Sequence, residues 1–509
     1  MILRRIREPN LQLVLITCCL AFVFATGASN LTSDPIAPNE YMTISRSFDN
    51  HTIPLGPLDT LRRVAARSEQ HGPLYFLIVS IWATFTGNDL ATLRLVSVFC
   101  GLLTVAAVYR MALITTDRQL ALAATVITSF TSIFLFYSHE VRMYSLLPFC
   151  SAWVIWSYWG LLQSRIDLPR WRWLSFYLSM AITVYVHYFG VITLMAIAAY
   201  HLLLARKSKN WTKIVLVAIA AGLSFLPWLY LTIDGFVPEY TLTDSRLDAL
   251  SVIETLLDVY TNGLGYLGAA LFAIVIGRFR YIGPQAAYLL ILSAFAVAAA
   301  LLINELTPIF VARRMRYSLV FLPLLATSFA IALAALPLAK PVRQLVQLLV
   351  LCIFVVTFFQ FNGSDRLYLY TEGARWQLRA TPHFQAMMYH LSIDFQRDEP
   401  VVSLHPSVEL TAFTTTFYFK RVKPASLVHI YYDENALPRI QSVSTEIPDL
   451  DTFVARYASF WLLYNPQEAS EQSMKSVFQW VRNYYRSCGL LLDDTNVVVE
   501  RYVRDSDPC

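Results

Sequence analysis

Charged residues are scarce in this chain. Only 15% of its 509 residues are Asp, Glu, Lys or Arg, whereas 56% are hydrophobic. A soluble protein of this length would leave too much apolar surface in water. The net charge is only +5 and its basic residues sit mainly in short loops, which is not the basic surface of a nucleic-acid-binding protein. The composition therefore predicts a polytopic membrane protein with no nucleic-acid partner.

Several functional motifs are also missing from the sequence. There is no P-loop, no GxGxxG after a strand, and no HExxH, GxSxG or EF-hand loop. ATP-driven transport, serine-hydrolase chemistry and a nucleotide cofactor therefore lack support. The 7 cysteines show no CxxC or zinc-type spacing, and five of them fall in apolar runs. The other two, Cys488 and Cys509, can form a disulfide if the C-terminal region is extracytoplasmic.

Long apolar runs dominate the first 360 residues. About eleven of them approach the roughly 20 residues that a membrane-spanning helix needs. The predicted spans are 11–29, 91–113, 119–137, 141–162, 172–187, 189–205, 212–232, 254–276, 284–303, 317–338 and 342–360. The run 73–85 is too short to span and is predicted to be re-entrant or interfacial. The fold class is therefore mainly α, with about eleven transmembrane helices.

Basic residues assign a side to each loop. Most loop Lys and Arg lie in Thr115–Gln119, Ser164–Trp173, Arg206–Lys213, Gly277–Gly283 and Ala339–Arg343. By the positive-inside rule these loops are cytoplasmic. The loop 30–70, the loop Asp234–Leu250 and everything after residue 360 are then extracytoplasmic.

The last 150 residues have a different character. They alternate polar and apolar stretches and contain no span. Short strands are predicted at Val401–Leu404, Leu427–Tyr432, Ser459–Leu463 and Val497–Val503, and an amphipathic helix at Ser473–Arg486. The sequence thus predicts a transmembrane module over 1–360 and a small extracytoplasmic α/β domain over 361–509.

Polar residues collect on the predicted outer side of the module. Ionisable groups at membrane depth are costly and mark functional sites by default. The candidates are Asn39, Glu40, His71, Glu140, Arg142, Tyr144, His187, Arg313, Arg316 and Tyr317. The predicted working face is therefore extracytoplasmic.

Each candidate suits a particular chemistry, and each has a plainer alternative. Glu40 can act as a general base, but a loop carboxylate is more often simply solvated. The arginines can grip a lipid phosphate in bidentate fashion, or pair locally and bind lipid headgroups. His71, Glu140 and His187 can bind a divalent cation if they converge. Otherwise His71 is a residue at a helix start and His187 an interfacial anchor.

The order of these motifs resembles the GT-C superfamily of polytopic glycosyltransferases, and in particular its bacterial branch related to protein O-mannosyltransferases and lipid A aminoarabinose transferase. The similarity covers about residues 1–360. It is carried by Asn39-Glu40, His71-Gly72-Pro73-Leu74-Tyr75, Leu93-Arg94-Leu95-Val96-Ser97 with Gly101-Leu102-Leu103, Tyr137–Tyr144, His187-Tyr188-Phe189, and Arg316-Tyr317 before a helix containing Pro323.

The resemblance implies an enzyme, metal-dependent or metal-assisted, in the cytoplasmic membrane of a bacterium. Such an enzyme passes a sugar from a polyprenyl-phosphate-linked donor to a glycan, lipid or protein acceptor outside the cytoplasm. It inverts the anomeric centre in one displacement. A first-loop carboxylate deprotonates the acceptor, and basic residues stabilise the departing lipid phosphate.

Two positions depart from the family pattern. The acidic pair is usually Asp-Glu, but here Asn39 stands first, and an amide cannot act as a base. Either Glu40 takes that role, or the enzyme is impaired, or the family's pair aligns one residue away. Gly72 replaces a proline. Because of Asn39, a non-catalytic binder of lipid-linked glycans stays an alternative. A transporter or flippase of such glycans is another, although transporters place polar groups near the membrane midplane.

Overall fold

The computed structural model describes residues 9–32, 36–49, 53–67, 71–164, 166–233, 247–307, 309–371, 400–404, 427–432, 438–442, 450–464, 478–479, 481–493 and 498–506. These residues divide into two compact units. The first comprises Met1–Leu31 and Gly56–Ala374, and the second Thr32–Leu55 and Arg375–Cys509. Residues Thr32–Leu55 of the predicted first outer loop thus cluster with the C-terminal region, which the predicted division at residue 360 did not anticipate.

The first unit is a bundle of α-helices. They are α1 (Pro9–Ser29), α3 (Pro57–Arg67), α4 (Leu74–Thr86), α5 (Leu90–Thr115), α6 (Arg118–Ser129), α7 (Ser132–Tyr137), α8 (Leu146–Leu162), α9 (Arg170–Val186), α10 (Gly190–Leu203), α11 (Lys209–Thr232), α12 (Ala249–Tyr260), α13 (Gly265–Arg278), α14 (Pro284–Leu306), α15 (Leu322–Ala334), α16 (Lys340–Phe361) and α17 (Asp365–Thr371). A 3-10 segment, Ala312–Phe321, leads into α15.

Six helices of the described chain are long and apolar enough to cross a membrane. They are Gln12–Ser29, Leu90–Leu113, Lys209–Thr232, Pro284–Leu306, Arg314–Ala334 and Lys340–Phe361. A seventh span is possible if α12 and α13 together form one. The chain is therefore a multi-pass membrane protein, but the predicted count of eleven is not reached by helices of this length.

Breaks in the backbone explain part of the shortfall. The predicted span 254–276 is bent by 105° between α12 and α13. At that bend Asn262 adopts a positive φ of 52°. Its side chain accepts a hydrogen bond from Ser132 N at 3.0 Å and donates one to Phe130 O at 2.7 Å. The same amide therefore holds open the break between α6 and α7, which splits the predicted span 119–137.

The short run before α5 behaves as the sequence suggests. It forms α4, a 13-residue helix that is too short to be counted among the spans. Its predicted re-entrant or interfacial position stays a prediction. The predicted loop Asp234–Leu250 lies largely outside the described residues, which resume at Leu247 just before α12.

The second unit contains a six-stranded mixed sheet. Its strands are β3 (Val401–Leu404), β4 (Leu427–Tyr432), β5 (Pro438–Ser442), β6 (Ser459–Tyr464), β7 (Tyr485–Asp493) and β8 (Val498–Arg504), in the order β5-β4-β3-β6-β8-β7. β3 runs parallel to β4 and β6, and the remaining pairs are antiparallel. The four strands predicted from sequence coincide with β3, β4, β6 and β8.

The rest of the second unit is small. α18 (Leu450–Arg456) precedes β6, and its Phe453 packs edge-on against Phe460 of that strand. Within the predicted helix Ser473–Arg486, the described residues 478–479 and 481–484 are helical, and its last two residues begin strand β7 instead. Cys488 is disulfide-bonded. Cys509, its predicted partner, lies outside the described residues.

Residues 32–55 of the predicted first outer loop contain a short helix and a hairpin. The helix is α2 (Pro38–Ser47), and it is followed by the two-stranded hairpin of β1 (Phe48–Asp49) and β2 (Ile53–Pro54). The proline in the first turn of α2 suits that position because no backbone N–H is needed there. This element carries Asn39 and Glu40.

Candidate active site

Six of the predicted site residues come together in the first unit. They are His71, Arg142, Tyr144, His187, Arg316 and Tyr317, and we call them the basic-aromatic cluster. Tyr144 lies at its centre: its ring centroid is 6.0 Å from that of His187 and 6.2 Å from that of Tyr317. Four separate stretches of chain supply these side chains, so the sequence motifs that looked independent form one site.

Arg142 and Tyr144 project from the turn between α7 and α8. α5 holds this turn: Ser97 Oγ donates to Arg142 O at 3.2 Å, and Thr104 Oγ1 donates to Ser145 O at 2.8 Å. Ser97 in turn shares a 2.6 Å hydrogen bond with Tyr75 OH. Motif residues around 75 and 97 that lack obvious chemistry therefore position the arginine. They support the site rather than line it.

Two guanidinium groups converge on the Tyr144 ring. The Cζ atoms of Arg142 and Arg316 lie 5.3 Å and 5.7 Å from its centroid, within the range of cation–π attraction. Arg142 Nη2 also donates to Tyr144 OH at 3.2 Å.

The 3-10 segment supplies Arg316 and Tyr317. Tyr317 stacks on Phe189 with 4.5 Å between centroids and an interplanar angle of 7°. One residue further along, Ser318 O accepts a hydrogen bond from Tyr260 OH at 2.6 Å, which fixes the segment to α12. The Nε–H of Arg316 is buried and has no hydrogen-bond partner in the described part of the chain. It is a donor available to a ligand.

His187 lies at the tight junction between α9 and α10. Its Nδ1 accepts a hydrogen bond from Phe189 N at 3.1 Å, which assigns the proton to Nε2. That Nε2 is buried and, within the described residues, unpartnered. Because Nδ1 accepts and carries no proton, His187 is an uncharged N–H donor, and the cluster's positive charge comes from its arginines.

His71 completes the cluster from the turn before α4. Its Nε2 lies 3.0 Å from Arg142 Nη2, and since an arginine only donates, this nitrogen accepts and Nδ1 carries the proton. The His71 and His187 rings are 5.8 Å apart, edge to face. His71 thus helps to orient the Arg142 guanidinium.

The predicted metal site is not supported by this arrangement. No group of three or more His, Cys, Asp or Glu side chains within the described residues is placed to hold a metal ion. His71 Nε2 is occupied by a guanidinium, and two arginines beside the histidines repel a dication. A metal site of His71, Glu140 and His187 therefore stays a prediction that this arrangement does not support. The surroundings suit an anion, while metal dependence as such stays a prediction.

Glu140 and Arg313 are the remaining predicted residues of the first unit. Glu140 is buried in the turn that carries Arg142, its backbone oxygen accepts from Arg142 N, and its carboxylate is close enough to interact electrostatically with Tyr144. The side chain of Arg313 lies outside the described residues. The sequence reasoning did not choose Tyr137 or Phe189 as site residues. Yet Tyr137 packs 5.1 Å from Tyr144, and both residues stand inside motifs that signalled the site.

Glu40 has a clear local role in the second unit. It is fully buried, and its Oε2 accepts a hydrogen bond from Ala37 N at 2.9 Å, as in half of a capping box at the start of α2. Asn39 is half-buried beside it, and its backbone oxygen accepts from Thr43 Oγ1 at 3.4 Å. One carboxylate oxygen of Glu40 is therefore committed to the fold.

Gly72 explains one departure from the family pattern. A Cβ at this position would lie 2.1 Å from Tyr185 O and 2.5 Å from Tyr185 C. Backbone atoms of α9 cannot move aside as a flexible side chain would. The turn that carries His71 therefore excludes any side chain at residue 72, proline included.

Gly72→Ala is accordingly expected to destabilise the protein by about 1–3 kcal/mol, the usual range for overpacking. It should also displace His71 and so weaken the hold on Arg142. Thermal unfolding in detergent checks the first effect. Gly222→Ala in α11 is the matched control, because nothing lies within 4 Å of a Cβ there. Equal melting temperatures for the two variants would contradict the close approach to α9.

Comparison with known proteins identifies the fold of this chain. Residues 70–231 match a family described as dolichyl-phosphate-mannose-protein mannosyltransferase. ArnT from Cupriavidus metallidurans in the apo state superposes with a TM-score of 0.60 at 12% identity, over 96% of this chain and 97% of that one. The chain has the GT-C fold. The resemblance inferred from its motifs is thereby confirmed.

Two other solved GT-C structures are similar. ArnT from Cupriavidus metallidurans bound to undecaprenyl phosphate has a TM-score of 0.55 at 12% identity, over 96% of this chain and 97% of that one. Arabinofuranosyltransferase AftD from Mycobacteria has a TM-score of 0.51 at 14% identity, over 97% of this chain and 41% of that one. A search among curated protein sequences finds no match. The matched family stretch includes His71, Arg142, Tyr144 and His187, but not Glu40 or Arg316.

Proposed function

We propose that the protein is a glycosyltransferase that takes a sugar from a polyprenyl-phosphate-linked donor. One observation carries the proposal: two guanidinium groups converge on Tyr144 beside two free N–H donors, of Arg316 and His187. Arginines bind phosphate oxygens through paired, charge-assisted hydrogen bonds. The fold neighbour that holds undecaprenyl phosphate supports a lipid-phosphate ligand.

The reaction is a single displacement at the anomeric carbon. The acceptor hydroxyl loses its proton to a carboxylate as it attacks, the new glycosidic bond forms, and the bond to the lipid phosphate breaks. Negative charge grows on that phosphate, and Arg142 and Arg316 are the groups that would stabilise it. Glu40 is the proposed base, and the anomeric configuration is inverted.

Donor specificity tests the proposal directly. Purified protein in lipid is incubated with a panel of radiolabelled polyprenyl-phosphate sugars, nucleotide sugars serving as the contrasting donors, and a cell-envelope extract as acceptor. We expect label to pass from one of the lipid-linked donors with release of polyprenyl phosphate, and none from nucleotide sugars. Binding of a lipid-linked sugar without its consumption would favour the non-catalytic binder or the transporter. The proposed location is the cytoplasmic membrane of a bacterium, with the site outside.

A further inference from the structure

A second concentration of positive charge lies at the far end of the helical bundle. An open cavity of about 220 Å³ there is lined by Arg278 and Arg343. It also touches Ala334, at the end of α15. Tyr317 of the basic-aromatic cluster lies before the start of that helix, and the intervening helical residues span on the order of 25 Å. The cavity is therefore separate from the proposed donor site.

Arg278 is oriented but not neutralised. Its Cζ lies 4.6 Å from the ring centroid of Tyr281, a cation–π contact that fixes the guanidinium. Its Nε–H is buried and donates to no acceptor in the part of the chain that the structure describes. An anion in the cavity would satisfy this donor, because an unmet buried polar group is costly.

Helix ends add to the positive potential. α14 begins at Pro284 after Gly283, which provides no side-chain cap, and Ala286 in its first turn lines the cavity. Arg343 lies in the first turn of α16. The N–H groups of a first turn carry partial positive charge and attract anions. Two acids of the predicted cytoplasmic loops are already engaged: Asp117 caps α6, where it accepts from Leu120 N at 2.9 Å, and Asp167 pairs with Lys209 at 3.2 Å.

The rest of the lining is apolar. Leu120, Ile282, Ile331 and Leu336 face the cavity, which lies between ends of helices long enough to span a membrane. Apolar walls beside arginines suit a phosphate that is attached to acyl chains better than a free, fully hydrated phosphate. A half-buried arginine pair at a membrane surface also attracts anionic lipid headgroups.

We propose that this cavity binds the phosphate of an anionic phospholipid, with Arg278 and Arg343 as its cationic ligands. The site is independent of the donor phosphate. On the predicted topology it faces the cytoplasmic leaflet, opposite the face at which sugar is transferred.

Lipid titration of the purified full-length protein tests this proposal. Phosphatidylglycerol, phosphatidylcholine and inorganic phosphate are titrated separately, with retained lipid counted by native mass spectrometry and stability followed by thermal unfolding. Wild type is expected to bind phosphatidylglycerol about tenfold or more tightly than Arg278→Gln/Arg343→Gln, since two charge-assisted contacts are lost. Arg280→Gln is the matched control, because Arg280 is exposed on the same loop and does not line the cavity.

Two results would overturn the proposal. In the first, the double variant binds phosphatidylglycerol as tightly as Arg280→Gln does. In the second, wild type binds phosphatidylcholine as tightly as phosphatidylglycerol. Stabilisation by inorganic phosphate as strong as by phosphatidylglycerol would overturn the lipid as the source and make the cavity a free-phosphate site. Arg343→Gln alone gives the same comparison should the double variant unfold.

Discussion

Glu40→Gln is expected to lower the rate of sugar transfer by about 10²- to 10⁴-fold, the usual contribution of a positioned general base. The substitution is close to isosteric. A glutamine side-chain oxygen can still accept the hydrogen bond from Ala37 N, and the capping box takes either glutamate or glutamine at this position. The fold is thus retained while the base is removed, so a loss of rate reports on chemistry.

The measurement is kcat for the donor found in the panel, with thermal unfolding alongside. Glu254→Gln is the matched control, because Glu254 is an exposed carboxylate on α12. Asn39→Asp in a parallel assay shows whether the amide beside Glu40 weakens the site. Transfer by Glu40→Gln at the rate of the control would remove Glu40 from the reaction and leave it as the cap of α2.

Removing either arginine of the cluster is expected to raise the KM for the lipid-linked donor by about 10- to 100-fold. A hydrogen bond to a charged group contributes about 1.5–3 kcal/mol, and 1.4 kcal/mol is a factor of ten. Arg142→Gln and Arg316→Gln should also lower kcat, since the leaving phosphate gains charge in the transition state. The two losses should not add, because both groups act on one anion beside Tyr144.

Steady-state kinetics with the donor as the varied substrate checks this expectation. The control is Arg172→Gln. The guanidinium of Arg172 lies 4.5 Å from the Trp171 ring centroid near the start of α9, so this variant also removes an arginine in cation–π contact, but one outside the cluster. If Arg142→Gln and Arg316→Gln alter protein stability but leave KM and kcat at the control values, the cluster binds structural lipid and not the donor.

Local sequence patterns predicted where helices and strands form better than they predicted whether a long helix is unbroken. The strands β3, β4, β6 and β8 were readable from short apolar runs, and α4 was readable as too short to span. The bend of 105° after α12 was not, because it depends on the Asn262 side chain bonding to backbone more than a hundred residues away. Hydropathy averages over such a break and reports one long span.

For the basic-aromatic cluster, the sequence predicted which residues belong to the site better than it predicted their partners. Polar residues at the predicted outer ends of helices were enough to select His71, Arg142, His187 and Arg316, because ionisable groups at membrane depth are costly and mark functional sites by default. What the sequence could not show is which groups are neutral or already engaged. The bond between His71 Nε2 and Arg142, and the one between His187 Nδ1 and Phe189 N, are contacts made in the fold that no local sequence pattern shows.

The most direct test of the central claim is a multiple-turnover assay of purified wild-type protein that counts polyprenyl phosphate released per sugar transferred. The account predicts one released lipid phosphate per transferred sugar over many turnovers, with an inverted anomeric configuration in the product. Donor that is bound or moved across the bilayer with its sugar still attached, and no free polyprenyl phosphate, would contradict it.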